Sequence, residues 1–365
     1  MKKFLLLFLV LICAFLLFSC RKPVNTGDST ETSVETSTAT LAQDADGSLV
    51  EREVQEIPLI GSIAEPKAEV SGMAWCGTHL ILLPQYPDRF NIDGTDHIFS
   101  IEERELDAYL KGEYPDGIEP EWIPFESGDL KKSIDGFEGF ESIVFNGDDF
   151  YVSIEARQSG ALINLGWMMS YFVKGQVEGD CSSLILDTSS MKSFETPTDI
   201  SNLSYETMLI FQDRLYAIYE ANGSDVNPNP VAHVFDLDLG FHSEIEMPNI
   251  EYRITDATQP GEDGFFWVMN YFFPGDTELE ASVDPIEEEF GLGESHQFSE
   301  TVERLLRLKI NETSIQLVDE APIYIQLLED DSRNWEGIVG YGDGFLLVTD
   351  KFPTTILAYI EADRE

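Results

Sequence analysis

The sequence is poor in basic residues, histidine and cysteine. Of its 365 residues, 22 are Lys or Arg and 68 are Asp or Glu, which gives a formal net charge of −46. A field of this sign repels nucleic acid, so nucleic-acid binding is excluded. The five histidines and four cysteines form no HxxxH, HExxH or CxxC spacing, and a zinc site is therefore not predicted. A GxSxG elbow and a P-loop are also absent.

The acidic excess has two compatible explanations. In a salty medium, screening removes the cost of self-repulsion and the carboxylates keep the protein soluble. Alternatively, some of the carboxylates bind a cation. Apart from its charge, the chain has an ordinary globular composition, with 43% hydrophobic and 12% aromatic residues.

The N-terminus is basic and then strongly apolar. MKK is followed by FLLLFLVLICAFLLF, and the run ends at Ser19-Cys20. This order predicts a secretory signal over residues 1–20, and the LFSC ending resembles a bacterial lipobox whose cysteine is acylated. Cys20 would then anchor the protein in the membrane as a lipoprotein of the bacterial cell envelope, facing the periplasm or the exterior. An uncleaved transmembrane anchor is the alternative.

Residues 21–48 are rich in Ser, Thr, Asp and Glu, which predicts a disordered tether before a folded domain over 49–365. Cys76 and Cys181 lie in that domain. An oxidising compartment would permit a disulfide, but Cys76 falls in an apolar strand and Cys181 near a turn. The sequence therefore favours two unpaired cysteines.

From residue 50 onward, short apolar runs alternate with Gly, Asp, Asn and Pro, a pattern typical of an all-β protein. Five stretches align without a gap, and each begins with an oxygen-bearing side chain, continues with a small residue and ends on a polar one. Each predicts a β-hairpin. The stretches are SGMAWCGTHLILLPQ, ESIVFNGDDFYVSIE, ETMLIFQDRLYAIYE, DATQPGEDGFFWVMN and EGIVGYGDGFLLVTD.

Further strand-like runs lie between the hairpins, so the repeat has four strands and predicts a five-bladed β-propeller. The last hairpin has room for only one more strand, while residues 50–62 form a strand-like stretch with no hairpin of its own. We therefore expect residues 50–62 to supply the outer strand of the last blade and to close the ring. A six-bladed ring is the alternative.

In a propeller, the first strand of each blade lines the central channel, so the first residues of the hairpins share one level. The last residue of each hairpin returns beside the first. Crowded carboxylates repel one another unless a cation neutralises them, and oxygen ligands in a roomy site favour Ca²⁺. A water-filled polar channel is the alternative. The predicted metal ring is Ser71, Glu141, Glu206, Asp256 and Glu336, and the second ring is Gln85, Glu155, Glu220, Asn270 and Asp350.

The hairpin openings WEGIV and GFESIV and the closings LLVTD and YVSIE resemble those of the phytase-like, esterase-like β-propellers. The ring of one serine and several carboxylates is also similar to that of the calcium-dependent apyrases, nucleotidases in which each blade offers an oxygen ligand to a central Ca²⁺. The resemblance implies that Ser71, Glu141, Glu206 and Glu336 bind the ion. The resemblance implies a hydroxyl ligand in the fourth blade. This sequence departs from it with Asp256, unless Thr255 takes that role.

Basic residues flank the same end of the hairpins. Arg253 and Arg333 stand three residues before a predicted ring position. Arg157 and Lys351 follow the last residue of a hairpin by two and one, and Arg89 lies slightly further along. A cation surrounded by guanidinium groups is suited to binding a phosphate or a carboxylate.

Two functions are therefore predicted, both for a monomer. In the first, a Ca²⁺-dependent hydrolase of phosphate or ester substrates uses Arg157, Arg253 and Arg333 to orient a small anionic substrate, and Glu155 or Glu220 activates water. In the second, Ca²⁺ only stabilises the ring, and the rim loops of a non-catalytic surface module bind an envelope ligand. Fold alone does not decide between them.

Overall fold

The computed structural model describes residues 49–113, 116–159, 167–329 and 332–362, all of which fall within one unit, 41–365. The predicted signal, Cys20 and the tether lie outside the described residues. Across these ranges, no helix has the length and apolarity needed to cross a membrane.

The first half of the described chain contains ten strands and two helices. Four-residue helix α2 and eight-residue helix α1 are both connections between strands. The elements are β1 (Gln55–Ile57), β2 (Val70–Cys76), β3 (His79–Pro84), β4 (Asp96–Glu102), α1 (Glu103–Leu110), β5 (Glu121–Glu126), α2 (Leu130–Ser133), β6 (Phe137–Asn146), β7 (Asp149–Gln158), β8 (Trp167–Glu178), β9 (Ser183–Leu186) and β10 (Lys192–Glu195).

The second half is again dominated by strands, with one helix in the long connection before β17. The elements are β11 (Thr207–Phe211), β12 (Arg214–Ile218), β13 (Val231–Phe235), β14 (Phe241–Glu246), β15 (Arg253–Ala257), β16 (Phe265–Phe272), α3 (Pro285–Phe290), β17 (Val302–Ile310), β18 (Ile315–Leu317), β19 (Ile323–Tyr324), β20 (Trp335–Tyr341), β21 (Gly344–Thr349) and β22 (Leu357–Glu361).

The strands pair in chain order into antiparallel groups of four, which we call units 1 to 5. Units 1 (β2–β5) and 2 (β6–β9) join through the parallel pair β5 and β9, so that they share one sheet, and β10 adds to β8. Unit 3 is β11–β14 and unit 4 is β15–β18, with β19 paired to β17. Unit 5 is β20–β22 together with β1. Each unit begins with one of the five predicted hairpins.

The chain closes through its first strand. β1 pairs antiparallel with β22, with Gln55 opposite Tyr359 and Ile57 opposite Leu357, which confirms the predicted role of residues 50–62. The inner strands β2, β6, β11, β15 and β20 each lie beside the next, and β20 lies beside β2. The all-β propeller fold is confirmed. We count one blade per unit, and the number of blades stays a prediction.

The core consists of apolar layers between neighbouring units. Along β3, Leu80 and Leu82 pack into the layer shared with unit 5, whereas Ile81 and Leu83 pack into the layer shared with unit 2. Successive side chains of a strand point to opposite faces, and both faces of these strands are covered. This burial explains why the hairpin sequences are almost continuously apolar.

Cys76 and Cys181 form a disulfide, so the expectation of unpaired cysteines was wrong. Cys76 ends β2 in unit 1, and Cys181 lies in the turn between β8 and β9 of unit 2. Their Cα atoms are 6.1 Å apart although 105 residues separate them in the sequence. The pairing depends on the packing of two units, which the local strand and turn assignments do not contain.

Candidate functional site

Four inner strands carry a β-bulge at the level of the predicted ring. In β2, Val70 pairs with Pro84 and Gly72 with Leu83, which leaves Ser71 without a partner in the ladder. Glu141 in β6 and Glu336 in β20 are bypassed in the same way. A bulge turns the extra residue out of the regular alternation, and here it points these side chains at the channel.

The bulge in unit 4 corrects the predicted ring. Ile254 pairs with Asn270 and Asp256 with Met269, so the bypassed residue is Thr255. The loop of hairpin β15–β16 is longer than the loops of the other four hairpins. An alignment without gaps therefore assigns the first position of this hairpin to the residue after the equivalent one. In unit 3, Glu206 directly precedes the first paired residue of β11. The equivalent positions are Ser71, Glu141, Glu206, Thr255 and Glu336.

Asp256 occupies the position at which the other units have a small residue. A Cβ added at Gly72 would lie 3.2 Å from the backbone of Ser142, because the inner strands approach closely there. Asp256 instead reaches across to unit 5, where its Oδ2 accepts a hydrogen bond of 2.9 Å from Ile338 N. Burial raises the pKa of Asp256 well above its usual range. The side chain thus holds two inner strands together.

One mouth of the channel contains a cavity of about 110 Å³, which we call the acid-lined cavity. One carboxylate oxygen each from Glu141, Glu155 and Glu206 lie within 4.8 Å of one another, a spacing at which they could share a metal ion. Eight of the residues predicted from the sequence line it: Ser71, Gln85, Glu141, Glu155, Glu206, Arg253, Glu336 and Asp350.

Burial and mutual repulsion disfavour ionisation of these carboxyl groups. Burial, followed by the charge of Glu220, raises the pKa of Glu141 to about 8, although a hydrogen bond of 3.1 Å from Gln85 Nε2 opposes the shift. Burial raises the pKa values of Glu155, Glu206 and Glu336 well above the usual range, and neighbouring carboxylates raise them further. A bound cation would reverse this effect by favouring the ionised forms.

Arg253 is the cationic side chain that offsets part of the acidic charge of the ring. Its guanidinium pairs with Glu220 and with Asp276, whose Oδ2 accepts from Nε at 2.8 Å. Burial opposes the charge on Arg253, yet these two acids and Glu206 together raise its pKa well above the usual range. Arg253 is therefore fully engaged. The cavity residues without an ion pair among the described residues include Glu141, Glu155, Glu206 and Glu336.

Several buried oxygen atoms of the ring have no hydrogen-bond partner among the described residues. They are Glu155 Oε1, Glu220 Oε2 and Thr255 Oγ1, and each of these residues is at least 98% buried. Of the three residues, Glu155 lines the acid-lined cavity, whereas Glu220 and Thr255 do not. Buried oxygens are normally satisfied, so an unsatisfied carboxylate oxygen in an acidic cavity is a position at which a water or a cation can bind. Ser71 Oγ donates to Phe140 O at 2.5 Å, which leaves its lone pairs available.

Other predicted residues serve the framework instead. Arg333 is buried and pairs with Glu303 of unit 4. Glu303 Oε2 also accepts a hydrogen bond of 2.7 Å from Trp335 Nε1. Arg157 donates to Ser201 Oγ at 2.6 Å outside the cavity. Asn270 is buried behind the ring and bonds two backbone carbonyls and Arg304. Among the described residues, none of these three predicted side chains lines the acid-lined cavity.

The sequence placed Lys351 and Arg89 near the same mouth of the channel, but it did not indicate Glu69 as a site residue. Glu69 and Lys351 line the cavity, and Glu69 forms ion pairs with both Lys351 and Arg89. Glu69 has a φ of 42°, which is uncommon for a residue other than glycine. The acidic and basic residues are visible in the sequence, but this backbone conformation is not.

The other end of the inner strands contains a larger cavity of about 430 Å³. Its wall includes the aromatic rings of Trp75, Phe145 and Trp267, and Asp256 borders it. The two ends of the channel therefore differ in character, and the ionisable groups are concentrated at the acid-lined cavity.

These features define a β-propeller with an acid-lined channel. No family model matches the chain, and no curated protein matches it. Solved structures are similar to the chain at low identity. The exo-β-1,3-galactanase from Phanerochaete chrysosporium has a TM-score of 0.43 and 9% identity, covering 88% of this chain and 62% of that one.

The β-fructofuranosidase from Bombyx mori has a TM-score of 0.43 and 8% identity, covering 82% of this chain and 62% of that one. The α-L-arabinofuranosidase from Lactobacillus brevis has a TM-score of 0.46 and 10% identity, covering 83% and 92%. The chain thus spans 62% of the galactanase and the fructofuranosidase. Likeness at this level carries no argument about the site.

Proposed function

We propose that the acid-lined cavity binds one Ca²⁺. The observation that carries this proposal is the cluster of buried carboxylate oxygens of Glu141, Glu155 and Glu206 in the cavity, which lie within 4.8 Å of one another. Glu155 Oε1 has no hydrogen-bond partner among the described residues. All the donors are oxygen atoms, which favours Ca²⁺ over Zn²⁺. The ligands we propose are Ser71, Glu141, Glu206, Thr255 and Glu336, with Glu155 beside them.

The protein is, in this proposal, a lipoprotein of the bacterial envelope that is anchored through Cys20. The disulfide between Cys76 and Cys181 supports an oxidising compartment, since such bonds are rare in the cytosol. The acidic surface would then face the periplasm or the exterior.

The activity we propose is hydrolysis of a phosphate or ester substrate. Bound Ca²⁺ would supply a Lewis acid for a substrate oxygen. Glu155 is a better candidate than Glu220 for accepting a proton from water, because Glu155 lines the cavity with an unpartnered Oε1 whereas Glu220 is engaged by Arg253.

One observation favours the second function, a non-catalytic module in which Ca²⁺ stabilises the ring. The three arginines predicted to orient a substrate already have partners: Arg333 pairs with Glu303, Arg253 with Glu220, and Arg157 bonds Ser201. A hydrolase therefore needs other cations to hold an anionic substrate.

Calorimetric titration with Ca²⁺ tests the metal site. We expect one ion per chain, and Glu141→Gln combined with Glu336→Gln should abolish binding because two ligands lose their charge. The exposed Glu312→Gln is the matched control and should bind normally. If the wild type binds no Ca²⁺ and its melting temperature responds only to salt, the metal site and the hydrolase proposal both fail.

A further inference from the structure

Cationic side chains gather at the mouth of the acid-lined cavity, although the chain has few of them. Lys351 lines the cavity and Arg89 reaches it through Glu69. Their side chains are 31% and 36% exposed, so solvent and a ligand can reach both. Arg253 is engaged deeper in the ring, and these two residues are therefore the cations that a ligand would meet first.

Glu69 holds the two cations with one oxygen each. Its Oε2 accepts from Arg89 Nη1, and its Oε1 accepts from Lys351 Nζ. The residue is placed by an unusual backbone, with a φ of 42° and a hydrogen bond of 2.7 Å from Gln85 N to Glu69 O. A carboxylate is itself an oxyanion. An arginine and a lysine that both donate to it are therefore placed to bind another oxyanion.

Both cations keep donors for a second partner. In the described part of the chain, Arg89 makes its side-chain hydrogen bonds through Nη1 alone, to Glu69 and to Lys67 O at 3.0 Å. Its Nε and Nη2 remain, and the ring of Tyr86 lies 4.1 Å from the guanidinium and restrains it. Lys351 gives one of its three ammonium hydrogens to Glu69.

We propose that Arg89 and Lys351 form a subsite for the phosphoryl group of a phosphate ester, and that Glu69 occupies this subsite until the substrate displaces it. The inference rests on the proposed function and narrows its substrate to the phosphate class. A phosphoryl dianion can engage both cations and the metal at once, whereas a carboxylate has a single charge with which to offset the repulsion of the acidic ring.

Binding of inorganic phosphate to the Ca²⁺-loaded protein, measured by calorimetry, tests the subsite. Arg89→Ala and Lys351→Ala should each weaken phosphate binding about tenfold, the effect of one charge-assisted hydrogen bond. Glu69→Gln keeps the shape but removes the competing charge, and it should tighten binding about tenfold. Lys131→Ala is the control, because Lys131 also lies over Tyr86 yet pairs with Asp88.

The outcomes separate the subsite from the proposed function. Phosphate binding that is equal in the wild type, Arg89→Ala and Lys351→Ala would overturn the subsite and leave the Ca²⁺-dependent hydrolase standing. Weaker binding by Glu69→Gln would overturn the competing role of Glu69. No phosphate binding by the Ca²⁺-loaded wild type would overturn the subsite and leave the Ca²⁺ site and an ester substrate standing, and acetate binding as tightly as phosphate would overturn the phosphate assignment. Ca²⁺ titration of each variant shows that it is folded.

Discussion

Thr255 and Asp256 are neighbours in the sequence, but their side chains lie towards different ends of the channel. The bulge in β15 places Thr255 at the level of Ser71 and Glu141, whereas Asp256 borders the aromatic end and binds Ile338 N. A difference of one residue therefore exchanges a hydroxyl for a carboxylate in the proposed metal ring. The choice can be tested directly.

We expect Thr255→Val to weaken Ca²⁺ binding about tenfold without loss of stability. The substitution removes one oxygen ligand but keeps the shape of the side chain, and Thr255 Oγ1 has no hydrogen-bond partner to lose in the described structure. The measurement is Ca²⁺ calorimetry combined with thermal melting in EDTA.

Asp256→Asn is the control for Thr255→Val. It retains an oxygen for Ile338 N and should leave the affinity for Ca²⁺ unchanged. The reverse result, with normal binding by Thr255→Val and weak binding by Asp256→Asn, would restore Asp256 to the ring.

At the level of secondary-structure elements, the sequence predicts the hairpins and the closing strand well. Repeated small, apolar and polar columns identify all five hairpins because a buried blade needs the same side-chain types at the same depth. The pairing of β1 with β22 follows from counting strands at the two ends of the chain. The sequence left the choice between Asp256 and Thr255 in unit 4 open, because loop length and bulge position cannot be separated without the ladder.

Contacts between units were the least predictable part of the site. Arg333 stands three residues before Glu336, which suggested the channel mouth, but Glu303 from the neighbouring unit pairs with it. The partner of Cys76 is equally distant in sequence. Such pairings depend on the packing of two sheets, and hydrophobic patterns along one strand do not encode them.

The disulfide ties unit 1 to unit 2 and should stabilise their junction. We expect Cys76→Ser combined with Cys181→Ser to lower the free energy of unfolding by about 4 to 5 kcal/mol, because the bond restricts a loop of about 100 residues in the unfolded chain. Urea unfolding of the variant and the wild type measures the loss. The wild type unfolded in the presence of a reductant should approach the variant, and an unchanged midpoint in the variant would contradict the expected role.

On the scale of the whole molecule, closing the ring brings together acids that repel one another. Glu141, Glu206 and Glu336 come from units 2, 3 and 5, and they meet only when all the units have assembled. Their pKa values are raised in the folded state by burial and then by neighbouring carboxylates. The folded protein without metal therefore binds protons that the unfolded chain releases.

This difference predicts how stability depends on pH. In EDTA, the stabilising contribution of the protonated ring is complete below about pH 4.5, which is close to the ordinary pKa of a glutamate side chain. It is lost as the pH rises towards about 8, which is the pKa to which burial raises Glu141. The melting temperature in EDTA should therefore fall between about pH 5 and 8, while the increase produced by saturating Ca²⁺ should grow over the same interval.

Thermal melts at constant ionic strength, with EDTA or with Ca²⁺, measure both curves. Constant ionic strength matters because screening of the net charge of −46 would otherwise change stability as well. Glu141→Gln combined with Glu336→Gln is the informative variant, since it removes two of the titrating groups and should flatten the curve in EDTA and abolish the effect of Ca²⁺. A wild-type melting temperature in EDTA that rises from pH 5 to 8 would show that the ring is already ionised without metal, and the carboxylates would then be solvated lining of the channel.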